Sequence, residues 1–421
     1  MQLSENEKLA LYGGTPVRSK RLPPPYPGAA MYGDAEKASV DAVIDARSPF
    51  RYYGLNLLGK VAEFERAMCD KLRVRHTLAV SSCTASLVVA LKAAGIGPGH
   101  KVIVPACTFI ATAGAVVAAG AVPVFADIDD SLNIDPEKIG DCVDEETKAL
   151  IVVPILGNAC EMDKIMAQAK KYSLIVIEDV AQSMGLRYKG QYCGSFGHLG
   201  CFSLQMNKMI TSGEGGAVTT NDDKLYERAV RYHDHGMFRE SEGFLGTSSD
   251  SDIFIGQNYR MSEIAGAVAV EQFKKLDRMI AAMRELKYYI KAELQKIPGL
   301  AFRRITDEEG DTGNAIILLL PSKELGVKFR EALNAENVNL NCLYNGQPIY
   351  MVPQLLGQRT ADANGFPFNM VKNRVEYFPE MCPFAAEILP KNLVINITPE
   401  FTKADADDII HAIQKVASQL L

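Results

Sequence analysis

The 421-residue chain has no apolar run approaching the roughly 18 residues of a membrane span. Its N-terminus, MQLSENEKLALYGG, lacks the basic segment and apolar core of a signal peptide, so a cytoplasmic protein with no membrane partner is expected. A long basic run is missing too. With 45 Lys and Arg against 51 Asp and Glu, the net charge is −6, and no footprint for a phosphate backbone exists; nucleic acid is not expected as a partner. The nine cysteines form no CxxC pair, which excludes a zinc knuckle and a disulfide framework and leaves reduced thiols. No GxGxxG follows the first strand-like run, against a nicotinamide oxidoreductase.

What is present is 48% hydrophobic and 23% charged residues, the balance of a globular protein with a large core, at a length that predicts one large and one smaller domain. The stretch RLPPPYPG at 21–28 is too rich in proline for regular helix or sheet, so residues 1–34 read as an arm lying over the rest. From there, short runs rich in Val and Ile (76–80, 102–105, 122–125, 150–154 and 174–177) alternate with Ala-rich or charged segments of helical length such as 85–94 and 110–119. That rhythm predicts a mostly parallel sheet covered on both faces over 35–270. A long helix capped by Ser262 and stopped at Pro298-Gly299 leads into a smaller α+β unit, 271–421, with strands at 315–320 and 393–397 and helices at 322–335 and 402–420.

Parallel sheets place ligands at the carboxyl ends of their strands, and three such ends are informative. The run at 174–177 delivers Glu178 and Asp179 in EDVAQS. A buried carboxylate there needs a cationic partner, while an N-cap or surface acid is the plainer alternative. After Val80, SSCTA puts Ser82, Cys83 and Thr84 at a helix N-terminus, which favours an anion such as phosphate but is equally explained by capping. In CFSLQMNKMITSGEGG, Lys208 stands between a strand-like piece and a flexible glycine turn; in a partly desolvated crevice such a lysine is a Schiff-base nucleophile, and otherwise it is a surface lysine. Gly194, Gly197 and Gly200 read as turns. His233 and His235 read as solvated or substrate-side, and with no further ligands nearby no metal is expected.

Taken together, GGTPVR, SSCTASL, VPACTFIAT, EDVAQSMG, FSLQMNKMITSGEGG and GQNYRMSEIAGAV resemble, in collinear order, the DegT/DnrJ/EryC1/StrS family of PLP-dependent sugar aminotransferases. The likeness is strong over residues 11–272 and present in outline beyond. It implies the type I PLP-transferase, aspartate-aminotransferase-like α/β fold, with pyridoxal 5′-phosphate as cofactor. By resemblance Lys208 is the Schiff-base lysine and proton carrier, and Asp179 is the partner of the pyridine nitrogen, which makes the ring an electron sink. Phe109 matches the stacking aromatic and Gln182 the residue at the ring's hydroxyl edge. Cys83, Thr84 and Ser203 match phosphate-binding positions, as does Asn258 reaching in from the second subunit of a homodimer.

Two departures stand out. Cys83 replaces the family's usual glycine, so its side chain is expected to crowd the phosphate loop on a backbone that needs no positive φ. PILGNACEMD, at 154–163, lacks the histidine many members carry. The implied activity is transfer of an amino group from L-glutamate or L-glutamine to the keto group of a nucleotide-linked or acidic sugar. Relatives that dehydrate the sugar replace the lysine with histidine, and here Lys208 is kept. The alternatives are an enzyme that aminates and aromatises a carbocycle, in the manner of 3-amino-5-hydroxybenzoate synthase, and a non-catalytic regulator.

Overall fold

The β-branched runs pair where the sequence places them. In the computed structural model, which describes residues 8–237, 253–362 and 364–421, they form β1 (His76–Val80), β2 (Lys101–Pro105), β3 (Val122–Ala126), β4 (Thr147–Val152) and β5 (Ile175–Asp179). A short hairpin follows, β6 (Arg187–Tyr188) with β7 (Gln191–Tyr192). With β8 (Leu199–Ser203) and β9 (Gly216–Thr220), the five make a seven-stranded sheet in the order β1-β9-β8-β5-β4-β2-β3. Only β9 runs antiparallel to its neighbours, so the sheet is mixed and mostly parallel, as expected. Gly200, read as a turn, lies inside β8, whereas Gly194 does turn the chain, at φ +90°.

Alternate residues of each strand enter opposite apolar layers: Ala79, Ile103, Leu150, Val176 and Phe202 on one side, Leu78, Val102, Ile151, Ile177 and Cys201 on the other. Both faces are therefore covered. The helix Cys83–Ala93 is buried almost all round, between the sheet and helices Ile110–Ala118 and Asp223–His233, which is why its sequence lacks a polar stripe. The long helix Glu263–Leu294 begins at Ser262, whose Oγ accepts the Ala265 N–H, and ends short of Pro298. It packs against Asp34–Asp45, Lys60–Leu72 and Lys403–Leu420.

Beyond it, β10 (Ala301–Phe302), β11 (Ala315–Leu319) and β12 (Asn392–Asn396) form a small antiparallel sheet. Residues 349–385, inside the expected C-terminal unit, instead return to the edge of the large sheet. There the Tyr377 hydroxyl donates to the Pro123 carbonyl (2.6 Å), and the Phe384 and Ala385 N–H groups donate to the Asp127 carboxylate.

The arm is held at both ends; its first seven residues lie outside those described. Ala10 and Val17 donate to the buried Glu336 carboxylate, which also pairs with Lys415. Further on, one point of the expectation is corrected: Pro27–Ala30 is a single helical turn, because proline at the first helical position gives up no hydrogen bond. The Gly28 N–H donates to the Lys208 carbonyl (3.1 Å), and a Cβ on Gly28 would fall 2.8 Å from Ile210 Cα. Only glycine lets the arm lie this close to the lysine loop.

Candidate active site

The carboxyl ends of β1, β2, β5 and β8 open on a cavity of about 570 Å³, a size suited to a small-molecule ligand. β1 brings Cys83 and Thr84 to its wall, β2 brings Phe109, β5 brings Asp179 and Gln182, and β8 brings Ser203 and Lys208. Asn258 is the exception. It is exposed, bridges to Asp234 and lies outside the cavity wall of its own chain.

At the head of helix Cys83–Ala93, Ser82 Oγ accepts the Ala85 N–H (3.1 Å). Capping and anion binding are thus compatible, because the Cys83 and Thr84 N–H groups, in the first turn, have no intrahelical acceptor and lie at the positive end of the dipole. Gly216 makes room for this turn, since a Cβ there would meet the Ser82 carbonyl carbon at 2.5 Å. Cys83 has a helical φ, its carbonyl accepts the Ser86 hydroxyl (2.7 Å), and its thiol reaches the Asp179 carboxylate (3.8 Å). The sulfur turns towards the acid, on a backbone that has no positive φ. Burial pushes the thiol well above its usual range, so it stays neutral.

Glu178 and Asp179 are adjacent and point to opposite faces of β5. Glu178 answers the expected need for a cation in another way: its carboxylate accepts the Gly194, Phe196 and Gly197 N–H groups, each at 2.7 Å. Burial still outweighs these donors and raises its pKa to about 6. The proton is thus held more tightly in the folded than in the unfolded chain. Its stabilising effect is complete below about pH 4.5 and is lost as pH rises through 6. Relative to Glu178→Gln, the wild-type protein should lose on the order of 2 kcal/mol across that window. Urea unfolding of both proteins at pH 4.5 and 7 measures it; parallel stabilities would refute the assignment.

Asp179 faces the cavity, 4% exposed. One oxygen accepts the Ala181 N–H (3.2 Å) and the other the Thr112 hydroxyl (2.8 Å). Burial raises its pKa, opposed by Thr112, Ala181 and the Lys208 charge. Lys208 is half-buried in the loop after β8, and among the described residues no side chain hydrogen-bonds or ion-pairs its ammonium. Phe109 is 58% exposed, its ring on the cavity wall. Gln182 Nε2 donates to the Tyr344 hydroxyl (2.6 Å), tying the large sheet to the C-terminal part across the site.

Several wall residues escaped the sequence. Tyr26 comes from the arm, Tyr344 and Asn396 from the C-terminal part, and Leu156, at φ +43°, from PILGNACEMD. No local pattern marks these four. Thr112 was detectable, because it lies one helical turn after Phe109 and so shares its face.

His233 is fully buried, not solvated: it bonds the Tyr52 hydroxyl (3.0 Å) and the Val230 carbonyl, and burial lowers its pKa to about 3. His235 is exposed. Among the described residues no cluster of three or more His, Cys, Asp or Glu could hold a metal, and no helix is long and apolar enough to cross a membrane. All nine cysteines are free thiols.

A lysine and a buried carboxylate line one cavity at the carboxyl ends of a mixed seven-stranded sheet, and the architecture is the aspartate-aminotransferase-like fold of solved aminotransferases. The chain belongs to the DegT/DnrJ/EryC1/StrS aminotransferase family, whose profile matches residues 55–414. It is 32% identical over 366 residues to the spore coat polysaccharide biosynthesis protein SpsC of Bacillus subtilis, covering 85% of this chain and 89% of that one. To an L-glutamine:2-deoxy-scyllo-inosose aminotransferase of Streptomyces kanamyceticus it is 33% identical over 345 residues, 79% of each chain. Among solved structures, an aminotransferase from Psychrobacter cryohalolentis superposes with a TM-score of 0.79 at 27% identity, over 92% of this chain and 98% of that one.

Proposed function

We propose that the protein binds pyridoxal 5′-phosphate in this cavity and moves an amino group from L-glutamate or L-glutamine to a keto group on a sugar. The observation that carries this is the donor set of the one cavity. It combines a lysine whose ammonium makes no hydrogen bond or ion pair among the described residues, a buried carboxylate, an exposed aromatic face and a helix N-terminus. Each fits one part of the cofactor. When bound, the cofactor supplies a carbonyl for amine exchange and a pyridinium ring that stabilises a carbanion.

The chain's own groups do the rest. The Cys83 and Thr84 N–H groups and the Ser203 hydroxyl would hold the phosphate, and the Phe109 ring would stack on the cofactor's face. Asp179 would keep the ring nitrogen protonated, and Gln182 would meet the hydroxyl edge. The Lys208 amine would anchor the cofactor covalently until the donor's amine displaces it, and the freed amine would then carry a proton from the donor's Cα to the cofactor's former carbonyl carbon.

The working unit in this reading is a homodimer in which Asn258 completes the partner's phosphate site. Support comes from an exposed apolar surface beside it. Arg260, whose N–H donates to Asn258 Oδ1, lies over the Phe50 ring, which packs on Tyr53, 61% exposed; Ile255 nearby in sequence is 90% exposed. A keto carbocycle is the second reading, favoured by the similarity to the scyllo-inosose aminotransferase.

Adding L-glutamate, then L-glutamine, to the protein loaded with PLP should bleach its visible absorbance band, and a keto-sugar acceptor should restore it. Absorbance that neither donor changes would overturn the transaminase reading. Restoration by a cyclitol ketone alone would select the carbocycle.

A further inference from the structure

Behind Asp179 lies a pair of buried hydroxyls for which the proposed chemistry has no direct use. Thr108 and Thr112 are 0% and 1% exposed, and their hydroxyl oxygens are 2.7 Å apart, one turn along the start of helix Ile110–Ala118. Thr112 Oγ1 also lies 2.8 Å from Asp179 Oδ2.

A hydroxyl has one proton to give, and an ionised carboxylate can only accept. Thr112 therefore donates to Asp179, and its contact with Thr108 must run the other way, with Thr108 donating to Thr112. The direction of the whole chain follows: Thr108 to Thr112 to Asp179. We propose that Thr108 and Thr112 form a one-way hydrogen-bond relay that positions Asp179 and holds it ionised towards the cofactor's ring nitrogen, Thr112 acting directly and Thr108 through Thr112.

Three features support the relay. It is sealed from water, so each donor polarises the next and neither can be replaced by solvent. Thr112 is at once a wall residue of the cavity and a partner of the carboxylate. Among the described residues the other carboxylate oxygen has only the Ala181 N–H (3.2 Å) and the weak, distant Cys83 thiol (3.8 Å), so Thr112 makes the shortest hydrogen bond to Asp179 there. The Thr112 hydroxyl is also the strongest influence lowering the Asp179 pKa against the burial that raises it.

The inference rests on PLP binding in this cavity, and titration of the cofactor into apoprotein tests the two separately. Thr112→Val keeps the side-chain shape and removes the donor. It should raise the Kd for PLP roughly tenfold, the worth of a hydrogen bond to a charged group. Thr112→Ser, which restores the hydroxyl, should stay within roughly twofold of wild type. Thr108→Val should weaken binding by roughly threefold, and the double valine variant no more than Thr112→Val alone, since Thr108 acts only through Thr112. Near-wild-type affinity in Thr112→Val, a serine variant as weak as the valine one, or losses that multiply in the double variant would each overturn the relay. A wild-type protein that binds no PLP would overturn the cofactor reading and the relay with it.

Discussion

Lys208→Ala is expected to lower amino transfer on the order of 10⁴-fold and to remove the visible band of the PLP-loaded protein. The size follows from the two roles proposed for this one amine, covalent anchor and proton carrier, neither of which a methyl group can replace. The variant is also a clean one. Among the described residues the Lys208 ammonium makes no hydrogen bond or ion pair, and its loop is held by backbone bonds, Lys208 N–H to Gln205 O at 2.9 Å and Gly28 N–H to Lys208 O at 3.1 Å. Unfolding stability of the apoprotein should therefore move by no more than about 0.5 kcal/mol. Stopped-flow absorbance with L-glutamate, beside a urea melt, separates the outcomes. Turnover above about a hundredth of wild type would remove Lys208 from the chemistry. A large loss of stability would mean that its stem has a structural task instead.

The lysine, the acid and the helix N-terminus were legible because each follows an apolar run, and the ends of parallel strands are where a doubly covered sheet leaves room for a ligand. The same logic places β1 at His76–Val80, residue for residue as read from the sequence. What stayed hidden depends on contacts distant in the chain. Glu178 and Asp179 are equivalent as sequence; only the register of β5 turns one towards the Gly194 to Gly197 turn and the other towards the cavity. Tyr344 reaches Gln182 from 162 residues away, and Tyr26 comes from an arm whose prolines indicate irregular backbone without saying what it covers. His233 reads as polar and solvated, yet it is buried because Tyr52 and the Val230 carbonyl occupy both its nitrogens. In each case the signal is a partner, and periodicity carries no information about partners far along the chain.

Asp179→Asn carries the other large effect, and its value lies in two opposite signs. Asparagine matches the carboxylate in shape but cannot hold a proton on the ring nitrogen, so transamination should fall on the order of 10² to 10³-fold, the cost of removing one preorganised charge from a dry site. Stability of the apoprotein should move the other way. The folded-state pKa of Asp179 is raised above its ordinary value by burial, so its proton stabilises the fold below the unfolded pKa and that contribution is lost as pH rises through the folded one. At neutral pH the folded apoprotein thus carries a buried charge at a net cost, which the amide abolishes while still accepting the Thr112 hydroxyl or the Ala181 N–H. Thermal unfolding of apo Asp179→Asn at pH 7 should give a Tm equal to or above that of wild type, with activity collapsed. A Tm that falls along with the activity would make Asp179 a structural group. Retained activity would show that some other group faces the ring. Gain of stability with loss of function is what a charge kept for catalysis produces, because the fold bears its desolvation and only the loaded enzyme benefits.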